Sequence, residues 1–121
     1  LGLMLLRTDI AKLAQAFTTE NSVFDEFLDK DMFDQAMQRA SKSKRLTAGN
    51  ENLTYSNGFW AWNAAPALKC EKSKWIPFMS GYGGISVVFL PKGNAYYYFS
   101  DGGVFRYAEV IEQLHTHRPI C

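Results

Sequence analysis

Residues 85–90, Ile85-Ser86-Val87-Val88-Phe89-Leu90, form an apolar run dominated by β-branched and aromatic side chains. A run of that kind fits a buried strand. Pro91-Lys92-Gly93-Asn94 then supplies turn residues, and Ala95-Tyr96-Tyr97-Tyr98-Phe99 is a second strand-forming run. The three segments predict a hairpin. Upstream, Trp75 to Met79 is a short apolar run, and Leu53 to Trp62, rich in aromatics and turn residues, reads as extended.

Helical periodicity flanks these strands on both sides. Thr8-Asp9 is an amino-terminal helix signal, and Ile10, Leu13, Ala14 and Phe17 follow as one apolar stripe. The polar stretch Thr18 to Ser22 ends that helix. A second helix is expected from Asp31 to Ala40, with Met32, Phe33, Ala36 and Met37 on one side, and Ser41 to Asn50 reads as a surface loop. Ser100-Asp101-Gly102-Gly103 breaks the sheet, after which Tyr107, Val110, Ile111 and Leu114 mark a last amphipathic helix.

The expected fold class is therefore α+β, an antiparallel sheet of three to four strands with helices packed on it. It reads as a single, partial domain spanning 1–121: helical over 1–50, sheet over 51–100, and a terminal helix over 101–121. A sheet this small has two faces and two edges to protect. One face, or the amino-terminal edge, is expected to depend on chain outside these residues.

Composition narrows the partners. Of the 121 residues, 47% are hydrophobic and 15% aromatic, which is globular, and the formal net charge is +1. That charge drives the chain onto neither nucleic acid nor acidic lipid. No apolar run reaches the ~18 residues of a membrane-spanning helix. Leu1-Gly2-Leu3-Met4-Leu5-Leu6 is too short for a secretory core and has no basic segment before it. The chain does not begin with Met, so a processed, trimmed or incomplete reading is open from the first residue. Cys70 and Cys121 are the only cysteines. They could close a loop of about fifty residues, but two cysteines define neither a disulfide framework nor a zinc site, and two free thiols are the preferred expectation.

Three segments carry a resemblance. Gly2-Leu3-Met4-Leu5-Leu6-Arg7-Thr8-Asp9-Ile10-Ala11-Lys12-Leu13 resembles a Gly-Leu-x-x-(Ser/Thr)-x-x-Asp-Leu-Ala entry into a helix. Tyr55-Ser56-Asn57-Gly58-Phe59-Trp60 resembles a Tyr-Gly-x-Gly-(Phe/Trp)-Trp strand. Met79-Ser80-Gly81-Tyr82-Gly83-Gly84, followed by Ile85 to Leu90, resembles a third-motif strand with its hairpin partner. In this order they are similar to the carboxy-terminal part of the β-lactamase and penicillin-binding-protein superfamily of serine hydrolases.

The resemblance implies the corresponding part of a β-lactamase-like fold. It also implies an intact protein that acylates a serine in a Ser-x-x-Lys helix upstream of residue 1. Ser80 and Gly81 would lie on the oxyanion side of the site, offering backbone N–H groups, with Met79, Tyr82 and Gly83 lining the substrate groove. Met79 departs from the Lys or His common at that position. It argues against recognition of a penicillin-type carboxylate and leaves an esterase, amidase or peptidase acting on a small-molecule or peptide-like substrate. No cofactor is implied, and an extracytoplasmic location would follow from the family. The rival expectation is a stand-alone, non-catalytic binding module that forms an oligomer to cover its sheet.

Other matches are literal only. Ser41-Lys42-Ser43-Lys44 fits Ser-x-x-Lys, yet a catalytic lysine must be desolvated, and here Arg39, Lys42, Lys44 and Arg45 crowd together. Tyr55-Ser56-Asn57 fits Tyr-x-Asn but lies too near in sequence. A nucleophile elbow at Ser80 would need glycines where Phe78 and Tyr82 stand. Gly81-Tyr82-Gly83-Gly84 precedes a strand, so it lacks the helix dipole of a phosphate loop. His115-Thr116-His117 reads as solvated, because a catalytic zinc needs three protein ligands. Asp29, Asp31 and Asp34 suit a helix start. Trp60, Trp62, Tyr96, Tyr97 and Tyr98 lack the interleaved basic residues of a nucleic-acid surface.

Overall fold

Asn57-Gly58 divides what reads as one extended run into two strands. Both residues have positive φ, 52° and 86°, and they join Ser56 to its partner Phe59. Positive φ at both central residues is the twist-matched geometry of a two-residue hairpin, which Asn-Gly adopts at little cost. The sheet consequently has five strands, where sequence reading expects three or four. The computed structural model describes residues 4–18, 26, 29–39, 50–81, 84–100, 102–103 and 106–121.

The strands are β1 (Leu53–Ser56), β2 (Phe59–Asn63), β3 (Trp75–Gly81), β4 (Ile85–Leu90) and β5 (Asn94–Tyr98). They form an antiparallel sheet in chain order, β1-β2-β3-β4-β5. Helices α1 (Arg7–Thr18) and α2 (Lys30–Ala36) precede the sheet, α3 (Ala65–Leu68) links β2 to β3, and α4 (Tyr107–His117) follows β5. The α+β class holds. The short α3, with a proline in its first turn, has no apolar periodicity to announce it.

Successive strand residues point to opposite faces, so the registers sort the side chains into two sets. One face carries Trp60, Phe78, Val88 and Tyr96 in one cross-strand row and Trp62 and Ile76 in the next. Ala64, Leu68 of α3 and Ile111 of α4 close over it. The phenol ring of Tyr107 stacks on Phe78 at 4.3 Å, and Trp60 stacks on the same ring at 6.2 Å. The opposite face carries Phe59, Phe89 and Ala95, packed with Ala14 and Phe17 of α1, Phe33 of α2 and Met37. Four phenylalanines, 17, 33, 59 and 89, meet there at 5.0–6.2 Å.

The helix ends follow local chemistry. Asp9 in the first turn of α1 accepts from the Leu6 N–H at 3.1 Å, half of a capping box. Asp29 caps α2 by accepting from the Met32 N–H. That helix stops earlier than expected because Gln38 takes a left-handed φ of 59° while the Arg39 N–H reaches back to Asp34 O at 2.8 Å. This closure satisfies orphan carbonyls of the last turn.

The cysteines are not free thiols: Cys70 and Cys121 form a disulfide across a separation of 51 residues. Sequence spacing cannot show this, because the fold alone brings the two to a Cα distance of 5.8 Å. Closing a loop of that length stabilises the folded chain by about 4 kcal/mol on the chain-entropy account.

Candidate functional site

Strand β3 is central, yet its last three residues have only one neighbouring strand. Its pairing with β2 stops at Trp60↔Phe78, whereas its pairing with β4 continues through Met79↔Val87 and Ser80↔Ser86 to Gly81↔Ile85. Backbone N–H and C=O groups point alternately to the two edges of a strand. Along Met79-Ser80-Gly81, those on the β2 side therefore have no strand partner among the described residues. An open stretch of backbone at the end of a central strand can hydrogen-bond a ligand as a further strand would.

The side chains there differ in kind. Met79 is 42% exposed, and Gly81 is exposed. Ser80 is half-buried, and its Oγ donates to Ile85 O at 3.4 Å. Gly81 has no left-handed φ, and nothing lies within 4 Å of where a Cβ would sit. Nothing within the described fold needs glycine at 81, so its use there suits close approach by something else to the backbone. Gly84, by contrast, is buried with φ +83°, a backbone need of the β3–β4 connection.

Around Met79 and Gly81 the sheet face is apolar and uncovered. Ile85 is 41% and Phe99 46% exposed, and the Phe99 ring meets Tyr97 edge-on at 5.4 Å. The rows Met79–Val87–Tyr97 and Gly81–Ile85 thus continue the α1 face beyond the phenylalanine cluster. On the reverse face, Ser86 stands opposite both Ser80 and Tyr98. Its Oγ is fully buried and has no hydrogen-bond partner among the described residues.

Displaced pKa values lie elsewhere. Burial pushes the Tyr96 and Tyr107 phenols up, Tyr96 further, with the neighbouring Tyr107 adding to it. The Tyr96 hydroxyl donates to Tyr107 O at 2.8 Å, a bond that ties β5 to α4. Burial lowers the Arg39 guanidinium, partly offset by Asp34, while Arg39 donates to Phe17 O at the end of α1. All three are structural ties. The partner of Ser80 Oγ is a backbone carbonyl, which takes no proton, so this pair is not a nucleophile with its base.

Tyr82 and Gly83, expected along the groove, lie outside the described residues, as does Ser41 to Lys44. Asn57 of the literal Tyr-x-Asn serves the β1–β2 turn. Tyr55 is half exposed and its ring packs on Trp60 at 4.8 Å. His115, read as solvated, accepts at Nδ1 from the Ile120 N–H at 3.0 Å and is half-buried. Among the described residues no three His, Cys, Asp or Glu side chains gather as a metal site, and no helix is long and apolar enough to cross a membrane.

Sequence reading passes over Gln38. It is 1% exposed, accepts from Thr54 Oγ1 at 2.7 Å and donates to Phe59 O at 3.0 Å. Those bonds dock the end of α2 on the β1–β2 hairpin. A lone glutamine after a helix gives no signal of this. No family model, curated protein or solved structure matches the chain.

Proposed function

We propose that the chain supplies the third wall of the active site of a serine hydrolase related to the β-lactamases and penicillin-binding proteins. The observation that carries the reading is the end of β3. Met79-Ser80-Gly81 runs past the β1–β2 hairpin, and among the described residues no strand pairs its β2-side edge and nothing occupies the space beside Gly81. The Ser80 N–H, which the register turns to that edge, would help stabilise the oxyanion of an acyl-transfer intermediate, and the missing side chain at 81 lets the reacting group approach. The resemblance of Tyr55 to Trp60 and of Met79 to Leu90 to the family's strands supports the same reading.

Nucleophile and base would come from a Ser-x-x-Lys helix outside these 121 residues, since Ser80 has no base beside it among the described residues. An uncharged Met79 suits an ester, amide or peptide better than a β-lactam carboxylate. The test is to label the protein encoded by the complete gene with a fluorophosphonate probe and map the adduct. An adduct on an upstream Ser-x-x-Lys serine, with none on the 121-residue chain alone, is expected. Labelling of Ser80, or ester hydrolysis by the short chain that is lost on Ser80→Ala, would overturn the assignment.

A second reading, a non-catalytic binding module, is favoured by another observation: each sheet face has its own core within these residues, and a disulfide staples one of them. It predicts a gene without Ser-x-x-Lys and a monodisperse oligomer of the short chain.

A further inference from the structure

Cys70 and Cys121 differ in exposure, and the difference decides how their bond opens. Cys70 is half-buried and packs against the Leu68, Ile76 and Ile111 core, whereas Cys121 is exposed. Between them the segment after α4 is held by few other ties. The Ile120 N–H donates to His115 Nδ1, Ile120 packs on the same core, and an exposed Arg118 donates to Asn94 Oδ1 at 3.2 Å. Helix α4 itself packs on the sheet through Ile111 and Tyr107, and Tyr107 stacks on Phe78, the residue before Met79-Ser80-Gly81.

We infer that the Cys70–Cys121 bond is a redox-sensitive clasp on α4, opened from the Cys121 side. The reductant is a dithiol. Its thiolate attacks Sγ of Cys121, the more exposed of the two residues, forming a mixed disulfide there and releasing Cys70 as a thiolate that takes up a proton. The second thiol of the reductant then attacks its own sulfur in that mixed disulfide. It leaves oxidised as a cyclic disulfide, and Cys121 is left as a thiol. Two electrons and two protons pass to the protein. Freed of the clasp, α4 loosens over Phe78, while the α1 face, which shares no residue with the clasp, keeps its packing. This inference does not rest on the hydrolase reading.

The experiment uses the 121-residue chain purified without reductant. Intact mass is expected to show it two protons lighter than the reduced chain. Dithiothreitol should lower Tm by roughly 10–20 °C. Amide exchange should rise at least tenfold over residues 107–120 and little over 7–18. Treatment with glutathione followed by peptide mapping should find the adduct on Cys121. Free thiols in the untreated chain, an unchanged Tm, uniform loss of protection, or an adduct chiefly on Cys70 would each overturn the clasp as described. The Cys70→Ser/Cys121→Ser double variant should match the reduced chain in exchange. If it does not fold, titrating the native chain with dithiothreitol gives the same readout.

Discussion

The two faces of the sheet are made from the same five strands, yet among the described residues one leaves only Tyr55 exposed of its large side chains, while the other stays open around Met79, Ile85 and Phe99. Behind α4, an aromatic row of Trp60, Phe78 and Tyr107 is sealed by Ile111 and stapled by the disulfide. Behind α1 and α2, four phenylalanines close one end, and the cover stops short of Met79, Ile85 and Phe99. The contrast separates scaffold from site. A strand can offer backbone to a ligand only where a neighbouring strand ends, as β2 does beside Met79-Ser80-Gly81, and it holds position there only if a face is tightly packed.

The sharpest way to break this comparison is to cut into each face in turn. Phe78 is 2% exposed, and Phe78→Ala removes the ring between Trp60 and Tyr107. A loss of about 3–5 kcal/mol is expected by urea denaturation. Phe99→Ser and Ile85→Thr on the open end should each stay within ~0.5 kcal/mol of the parent. Similar costs on both faces would mean that the open end is covered in solution, as by a second copy.

A smaller effect is expected at the polar tie of the α1 face. Gln38→Ala leaves Phe59 O and Thr54 Oγ1 short of their partners and keeps a side chain in a left-handed backbone. It should cost about 2–3 kcal/mol. Gln38→Gly relaxes the backbone and should recover part of that, up to about 1 kcal/mol. An equal cost for the two would show that backbone strain at 38 contributes nothing.

On the α4 face the corresponding tie is the Tyr96 hydroxyl on Tyr107 O. Both phenols have pKa values raised by burial above the ordinary value of 10.0. The folded state then holds its protons more tightly than the unfolded one. Their contribution is fully present below pH ~10 and is lost as pH rises through the folded values. Tyr96→Phe should cost about 1 kcal/mol at pH 7 and flatten the decline of Tm above pH 10. A parallel decline in parent and variant would assign the alkaline limb to other groups.

How much of this was legible follows from where the signals are local. The β4–β5 hairpin reads directly from Ile85 to Phe99, because β-branched and aromatic runs and a Pro-Lys-Gly-Asn turn act within a few residues. Asn57-Gly58 was equally local and marks the split of β1 from β2. The disulfide and the Gln38 tie join residues 16 to 51 positions apart in sequence, and the one-sided edge of β3 depends on where its pairing with β2 stops; all are products of tertiary placement. Met79, Ser80 and Gly81 came from a resemblance. What the structure adds to it is that, among the described residues, nothing fills the space beside Gly81 and no strand pairs that edge.

Gly81 is where the smallest stability effect should accompany a large functional one. A Cβ there meets no atom within 4 Å, and the backbone is not in the left-handed region that favours glycine. Gly81→Ala should therefore leave Tm within about 2 °C of the parent, because it adds a methyl group to open space. If Gly81 faces a reacting group, the same methyl sits where that group must approach the backbone. On the proposed hydrolase reading, the protein encoded by the complete gene should then show a fall in kcat/KM for an activated ester of at least tenfold, about 1.4 kcal/mol of transition-state binding. Gly81→Ala with unchanged stability and unchanged turnover would remove Gly81 from the site. A large loss of stability would instead place the glycine in the scaffold.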